Sequence, residues 1–310
     1  MQTDQSAIGN QKSAMLIECV PNFSEGRKPE VIEQIAQAIA SVDGTTVLNR
    51  HIDPDHNRSV ITFVAPPEKI IEGALRGVAK AAELIDLRRH GGEHPRIGAT
   101  DVLPFVPVSG TTIDDCVALA HEAGNRIWRE LAIPVYFYER AALRSGRERL
   151  EHVRGKGFEK LREEIATNPD RRPDVGEPEL HPTAGAIAVG ARPFLIAFNV
   201  TLETNDIMIA RRIARVVRER DGGLPFVKAL GFELHSRGIV QVSMNLTNYE
   251  QTSIARAFEA VREEADRLNI KVQGAEIVGL VPRAAFDREA SYFPLLENLS
   301  ETVILEELLS

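Results

Sequence analysis

Phe194-Leu-Ile-Ala-Phe-Asn-Val-Thr-Leu202, followed by Glu203-Thr-Asn-Asp206 and the run Ile207 to Val217, is the stretch from which the fold can be read. Its first nine residues are rich in β-branched and aromatic side chains and predict a strand. Asn205 is placed to cap a helix that turns Ile207, Ala210, Ile213 and Val217 inward. Two more strand-like runs, Val227 to Leu234 and Ile239 to Met244, flank the turn Ser236-Arg-Gly238. Ile254, Ala257, Phe258, Val261, Ala265 and Leu268 give a second amphipathic helix, and Ala275 to Val281 a last strand. The order βαββαβ is that of the ferredoxin-like, split β-α-β unit.

Working outward, the same order recurs upstream. Met15 to Val20 predicts a strand that breaks at the turn-rich Pro21-Asn-Phe-Ser-Glu-Gly26, and Pro29 opens a helix with Val31, Ile32, Ile35, Ala36 and Ile39 on one face, ending near Asp43-Gly44. Strands at Thr45 to Leu48 and Ser59 to Val64 are joined by the polar connection His51 to Arg58, and Pro66-Pro67 opens a helix with an apolar stripe from Ile70 to Ile85. Val102 to Val108 carries Pro104 and Pro107, so it is expected at an edge or as an irregular strand. Thr112 and Asp115 form a capping box for a third helix, and Pro134 to Tyr138 reads as a strand. The mixed-charge stretch 139–173 is expected to be a helical surface excursion and linker with a solvated face. The expected class is therefore an α/β sandwich: two ferredoxin-like subdomains related as an internal duplication, with a ligand groove between them. The expected divisions are a loose tail at 1–14, an N-terminal subdomain at 15–175 with the excursion at 139–175, a C-terminal subdomain at 176–282, and a helical tail at 283–310.

Composition narrows the function. The chain has 37 Lys+Arg against 45 Asp+Glu, a net charge of −8, and only 5% aromatic residues. Phosphate neutralisation and base stacking want the opposite, so no nucleic-acid partner is expected. No apolar run approaches membrane-spanning length and the polar start lacks a secretory pattern, so no membrane partner is expected. Two cysteines, Cys19 and Cys116, cannot build a disulfide framework, which makes the cytoplasm the default location.

The densest chemistry lies in Arg88-Arg-His90-Gly-Gly-Glu93-His94-Pro-Arg96-Ile-Gly98-Ala-Thr-Asp101. Titratable groups set among glycines suit a site more than a core, and a histidine beside Glu93 and near Asp101 is suited to move a proton at neutral pH. His90, Glu93 and His94 also match the H-x-x-E-H string of one zinc-hydrolase class, although Gly91, Gly92 and Pro95 argue against the continuous helix which that metal site needs. His51 and His56 are expected to be exposed or outlying, because their loop offers Asp53, Asp55, Asn57 and Arg58 for polar contacts; His121 and His152 read as structural or solvated. Cys19 to Gly26 leaves the carboxyl end of a strand, where ligands gather in α/β sheets. Gly185 and Gly190 imitate P-loop spacing, but Ala191-Arg192 replaces the Lys-Ser/Thr pair, so no nucleotide site is expected.

Taken together, Cys19-Val-Pro-Asn-Phe-Ser-Glu-Gly26, Asn57-Arg58, Thr62 to Pro67, Gly91-Gly-Glu-His-Pro-Arg-Ile-Gly98, Pro134 to Tyr138 and Gly190 to Asn199 resemble the glutamate formimidoyltransferase family across most of the chain. The resemblance implies two α/β subdomains and transfer of a formimino group from N-formimino-L-glutamate to N5 of tetrahydrofolate, the co-substrate, in histidine degradation. It implies that His94 matches the catalytic histidine, and that Gly176-Glu177-Pro178-Glu179-Leu180-His181-Pro182-Thr183-Ala184-Gly185 matches the folate-contacting loop, here unusually acidic. Some relatives use a formyl donor, which stays open as an alternative. Animal members carry a fused cyclodeaminase for which 310 residues leave no room, so a functional link to a separate cyclodeaminase is expected, as is a homodimer.

The residues fit that chemistry on their own terms. N5 must lose a proton as it attacks, and the glutamate nitrogen must gain one before it leaves; one group near pKa 7 can do both. His94 is the candidate, oriented by Glu93 or Asp101, with no metal expected. Arg58, Arg96 and Arg192 are candidates for carboxylates, and Asn22, Ser24, Asn57 and Asn199 for the remaining polar edges of the substrates. The competing classes are a zinc hydrolase at His90, Glu93 and His94, and a non-catalytic folate carrier.

Overall fold

A computed structural model describes residues 15–91, 95–297 and 304–309. The first half contains β1 (Leu16–Cys19), β2 (Asn22–Phe23), α1 (Pro29–Ala40), β3 (Thr46–Asp53), β4 (Arg58–Ala65), α2 (Pro67–Leu84), β5 (Thr100–Ser109), α3 (Ile113–Leu131), β6 (Val135–Glu139), α4 (Leu150–Arg154), α5 (Phe158–Glu164) and β7 (Ile187–Ala191). β1 and β2 lie in one row between β4 and β5, β3 lies outside β4, and all of these pairings are antiparallel. β7 and then β6 extend the sheet in parallel beyond β5.

The second half contains β8 (Ile196–Leu202), α6 (Ile207–Val217), β9 (Val227–Leu234), β10 (Ile239–Leu246), α7 (Ile254–Arg267), β11 (Val272–Val278) and α8 (Leu305–Leu308). Its sheet runs β11-β8-β10-β9, wholly antiparallel. The fourth strand of the unit lies beside the first, then come the third and the second. The row β5, β1, β4, β3 of the first half repeats that order.

The second sheet carries α6 and α7 on one face; the first carries α1, α2 and α3 on one face, with α4 and α5 against part of the other. In β8, Ile196, Phe198, Val200 and Leu202 are fully buried in the core beneath α6 and α7, while the alternate residues Ala197 and Asn199 face a cavity between the halves. In the first half, Ile17, Cys19, Ile61 and Phe63 meet the stripes of α1, α2 and α3. Val20, Asn22 and Val60 face the same cavity from the other side. Helices are thus outermost and the two sheets face each other.

Several elements differ from expectation. β5 is central, with β1 and β2 on one side and β7 on the other. Its prolines are tolerated because each meets an irregularity. Pro104 faces the break between β1 and β2, where its carbonyl accepts the Val20 N–H at 3.3 Å, and Pro107 pairs with Ile17 where the register shifts. β3 continues through Asp53, so His51 and Asp53 stand on a strand rather than in a loop. Asp206, not Asn205, caps α6 by accepting the Met208 N–H at 2.8 Å. The excursion after β6 is no solvated arm: Val153, Leu161 and Ile165 pack with Ile97, Val102, Tyr136 and Tyr138 in a separate apolar cluster on the first sheet. That sheet also runs on to Ala191, past the expected division at 175/176.

The C-terminal segment is built into the second core. Tyr292 is fully buried, with ring centroids 5.6 Å from Phe198 and 6.3 Å from Phe258 in edge-on contacts. Truncating a buried aromatic side chain of this size costs about 3 kcal/mol or more. Tyr292→Ala should therefore lower the urea midpoint of the second half markedly, whereas an unchanged midpoint would show that the segment is only an appendage.

Candidate functional site

The cavity between the sheets has a volume of about 320 Å³. The first half contributes Asn22, His51, Asp53, His56, Arg58, Tyr138, Arg154 and Arg192, and the second half Asn199, Lys228, Phe232, Ser243 and Asn245. Four of the sequence-derived candidates, Asn22, Arg58, Arg192 and Asn199, therefore share one space. β2 presents Asn22, whose Nδ2 donates to the Val20 carbonyl at 2.8 Å across the strand break. Asn199 projects from β8 and donates through Nδ2 to Glu276 Oε2 at 2.9 Å, while His51 Nε2 lies 3.7 Å from the other oxygen of the same carboxylate.

The electrostatics single out two cations. Arg154 pairs with Asp101, Lys228 with Glu139 and Glu151, and Arg218 with Asp221. Among the described residues, neither Arg58 nor Arg192 forms an ion pair. Burial, with the nearby Arg154 cation, pushes the Arg58 guanidinium down to about 10 against the pull of Asp101 and Asp53; it remains charged at neutral pH, and its Nε lacks a hydrogen-bond partner. A buried and a half-buried guanidinium group without carboxylates suit anionic ligands.

The remaining candidates build a clasp beside the cavity. Ser24 donates from Oγ to the Gly98 carbonyl at 2.7 Å and from its N–H to Ala99 at 2.9 Å. Asn57, at φ +47°, accepts the Gly26 N–H at 3.0 Å and donates to the Gly91 carbonyl at 2.9 Å. Asp101 accepts the Ile97 N–H at 2.7 Å and the Arg154 guanidinium at 2.5 Å. Arg96 is turned away from the cavity and donates to the His90 carbonyl at 2.9 Å and to Glu159 at 2.8 Å. Glycine is required twice: a Cβ on Gly98 would lie 1.9 Å from the Ala186 carbonyl oxygen, and one on Gly26 would lie 2.1 Å from that of Asp53. Glu93 and His94 lie outside the described residues.

The loop 176–185 contributes no residue to the cavity wall. It is laced to the clasp instead, through Ala99 N–H to Ala184 and Ala186 N–H to Ile97, each at 2.9 Å. Gly176, at φ +101°, packs on the Trp128 ring, and burial lowers the pKa of His181. The zinc string does not begin on a helix: His90 follows a 3-10 turn at Leu87–Arg89 in extended backbone and donates from Nε2 to the Asn57 carbonyl at 3.0 Å. Among the described residues no three His, Cys, Asp or Glu side chains are grouped to hold a metal ion.

Sequence reasoning missed Arg154, Tyr138 and Lys228, and it placed His56 outside the site. The missed signal for Arg154 was the apolar spacing of Val153, Phe158, Leu161 and Ile165 within the charged stretch, which marks a packed face.

Glu18 is buried on the inner face of β1, in register with Val64 and Val106. Burial pushes its carboxyl up to about 7, against the pull of Arg192. The folded state therefore holds this proton more tightly than the unfolded chain. Stability from this group is full below the ordinary carboxylate value of 4.5 and is lost as pH rises toward 7, a cost on the order of 3 kcal/mol. Glu18→Gln should be more stable than the wild type at pH 8 and close to it at pH 4.5. Parallel urea midpoints for the two proteins across that range would contradict this.

Comparison with known proteins agrees with the division of the structure. Residues 16–192 match the family model of the formiminotransferase domain, N-terminal subdomain, and residues 197–308 that of the formiminotransferase domain. The gap between them falls where β7 ends and β8 begins. The chain is 49% identical over 293 residues to a glutamate formimidoyltransferase of Thermoplasma acidophilum, covering 94% of this chain and 96% of that one. It is 44% identical to a glutamate formimidoyltransferase of Streptococcus pyogenes, covering 92% and 95%. A formimidoyltransferase-cyclodeaminase of Sus scrofa is 42% identical over 292 residues, which cover 92% of this chain and 54% of that protein.

Proposed function

The chain belongs to the formiminotransferase family, and on that premise we propose that it transfers the formimino group of N-formimino-L-glutamate to N5 of tetrahydrofolate, giving 5-formiminotetrahydrofolate and L-glutamate. The observation that carries this reading is the cavity between the sheets, where Arg58 and Arg192 stand without carboxylate partners among the described residues. Both substrates are polycarboxylates, and a guanidinium offers each carboxylate two parallel hydrogen bonds. Asn22 and Asn199, on opposite walls, suit the amidine and the pterin edge. The segment 176–185 would reach the folate from the side of the clasp.

His94 is the proposed general acid and base, with Glu93 beside it in sequence. Asp101 and Asn57 act on it through the backbone, Asp101 by holding the Ile97 N–H and Asn57 by holding the Gly91 carbonyl. Much of the acceleration comes from placing N5 against the formimino carbon, which spares the entropy of bringing two solutes together. The absence of a spanning helix among the described residues and two buried free cysteines accord with work in the cytoplasm. The proposal includes a homodimer whose product passes to a cyclodeaminase, an activity that the Sus scrofa relative's name places on its own chain.

The test is turnover of tetrahydrofolate with N-formimino- and N-formyl-L-glutamate, following the 5-substituted folate. Formation of product with the formimino donor is expected. Turnover with the formyl donor alone would reassign the donor, and turnover with neither would refute the transferase reading. In the same assay His94→Ala should reduce kcat by about 10²- to 10⁴-fold. Arg192→Met should chiefly raise KM, by about tenfold or more, because it removes a charge that binds ground and transition states alike.

A further inference from the structure

One pair of titratable side chains in the cavity has no part in the reaction as set out above. Asp53 ends β3 and His56 lies in the tight turn to β4; both line the cavity. His56 Nδ1 donates to Asp53 Oδ2 at 2.5 Å, and the His56 backbone N–H donates to Asp53 Oδ1 at 2.9 Å. The imidazole is thus held in position by Asp53, with Nδ1 as the donor. Burial alone would push the Asp53 carboxyl up, but the hydrogen bonds and charge of His56 outweigh it and hold the group below its ordinary value, as an anion.

The second half completes the setting. Phe232 of β9 meets the His56 ring edge-on, with centroids 4.8 Å apart. Asp55, next in the same turn, accepts the Ser236 N–H at 3.0 Å and the Ser236 hydroxyl at 2.5 Å. His56 is only 7% exposed and stands where the two halves meet, two residues from Arg58.

We propose that His56, backed by Asp53, is a second proton-transfer residue of the transferase site and takes the proton that N5 of the folate loses, which narrows the role of His94 to protonating the departing nitrogen. The proposal rests on the transferase reading above. As N5 attacks, the N5–C bond forms and the N5 proton passes to His56 Nε2, the imidazolium being stabilised by the Asp53 carboxylate. The C–N bond to glutamate then breaks, and its nitrogen takes a proton from His94. Both imidazoles return to their starting states by proton exchange with water after the products leave. N5 and the leaving nitrogen are different substituents of one carbon, so two imidazoles spare a single ring from moving between them.

The experiment compares wild type, His56→Gln, His56→Ala and Asp53→Asn in full kinetics with tetrahydrofolate and the active donor, after circular dichroism has shown each to be folded. Both His56→Gln and Asp53→Asn should lose about 10²-fold or more in kcat with KM for either substrate within about threefold, and added imidazole should restore part of the activity of His56→Ala. Asp53→Asn keeps the size of the side chain and carries the test if the His56 variants do not fold. A kcat within threefold of wild type, a rise in KM alone, or no rescue by imidazole would overturn the proposal while leaving the transferase reading intact. A wild-type protein inactive with both donors would overturn both together.

Discussion

The buried ion pair between Asp101 and Arg154 is the contact on which the first half depends. Asp101 is 3% exposed, so its charge needs a partner, and Arg154 meets it at 2.5 Å from the end of α4, midway along the excursion after β6. Removing one member of such a pair leaves a stranded charge, at a cost of about 3 to 5 kcal/mol. The pair fixes α4 against the sheet, which turns the apolar side of the excursion onto Tyr136 and Tyr138 and closes one flank of the cavity. The other Asp101 oxygen holds the Ile97 N–H, so the same carboxylate shapes the backbone that follows His94. It also occupies Arg154. That leaves Arg58 and Arg192 as the cations of the cavity without ion pairs among the described residues.

What could be read from the sequence follows from where the physics is local. Helix stripes and caps depend on residues three or four apart, so α1, α2, α3 and α7 lie where the periodicity puts them. Strand pairing is not local. Nothing near Pro104 reveals that the break at Val20-Pro21 would face it and let a proline-bearing strand lie at the centre of a sheet. The site divides in the same way. Asn22, Arg58 and Arg192 line the cavity at or beside strand ends and Asn199 from the middle of β8, whereas Arg154 was hidden in a charged stretch whose packed face shows only when its apolar residues are counted apart from its charges. His56 was discounted because its neighbours looked like solvated partners. The extension of β3 through Asp53 turned those neighbours into a cavity wall.

Net charge is a weak guide to such a cavity. The chain carries −8, yet two guanidinium groups without ion pairs among the described residues, those of Arg58 and Arg192, line the cavity. Glu18 adds a counterweight. Burial keeps its carboxyl largely protonated up to about pH 7, so near neutrality it does not fully cancel the positive field of Arg192 beside it. A carboxylate bound at Arg192 would compete with a deprotonated Glu18 for the same cation.

The placement of Asp53 and His56 links the chemistry to the meeting of the two halves. The turn that carries His56 is held from one side by Asp53 and Asn57 and from the other by Ser236 and Phe232. The two halves furnish different parts of the cavity wall: the first has the His56 imidazole and the guanidinium groups, the second Asn199, Ser243 and Asn245. An α/β unit covered by helices on one face must cover the other, and here a second unit of the same order does so. The inner faces mix polar groups, Asn199, Ser243 and Asn245 opposite Asn22 and Arg58, with apolar ones such as Val20, Val60, Leu195 and Leu230. The cavity between them therefore offers a ligand both hydrogen-bonding groups and an apolar wall.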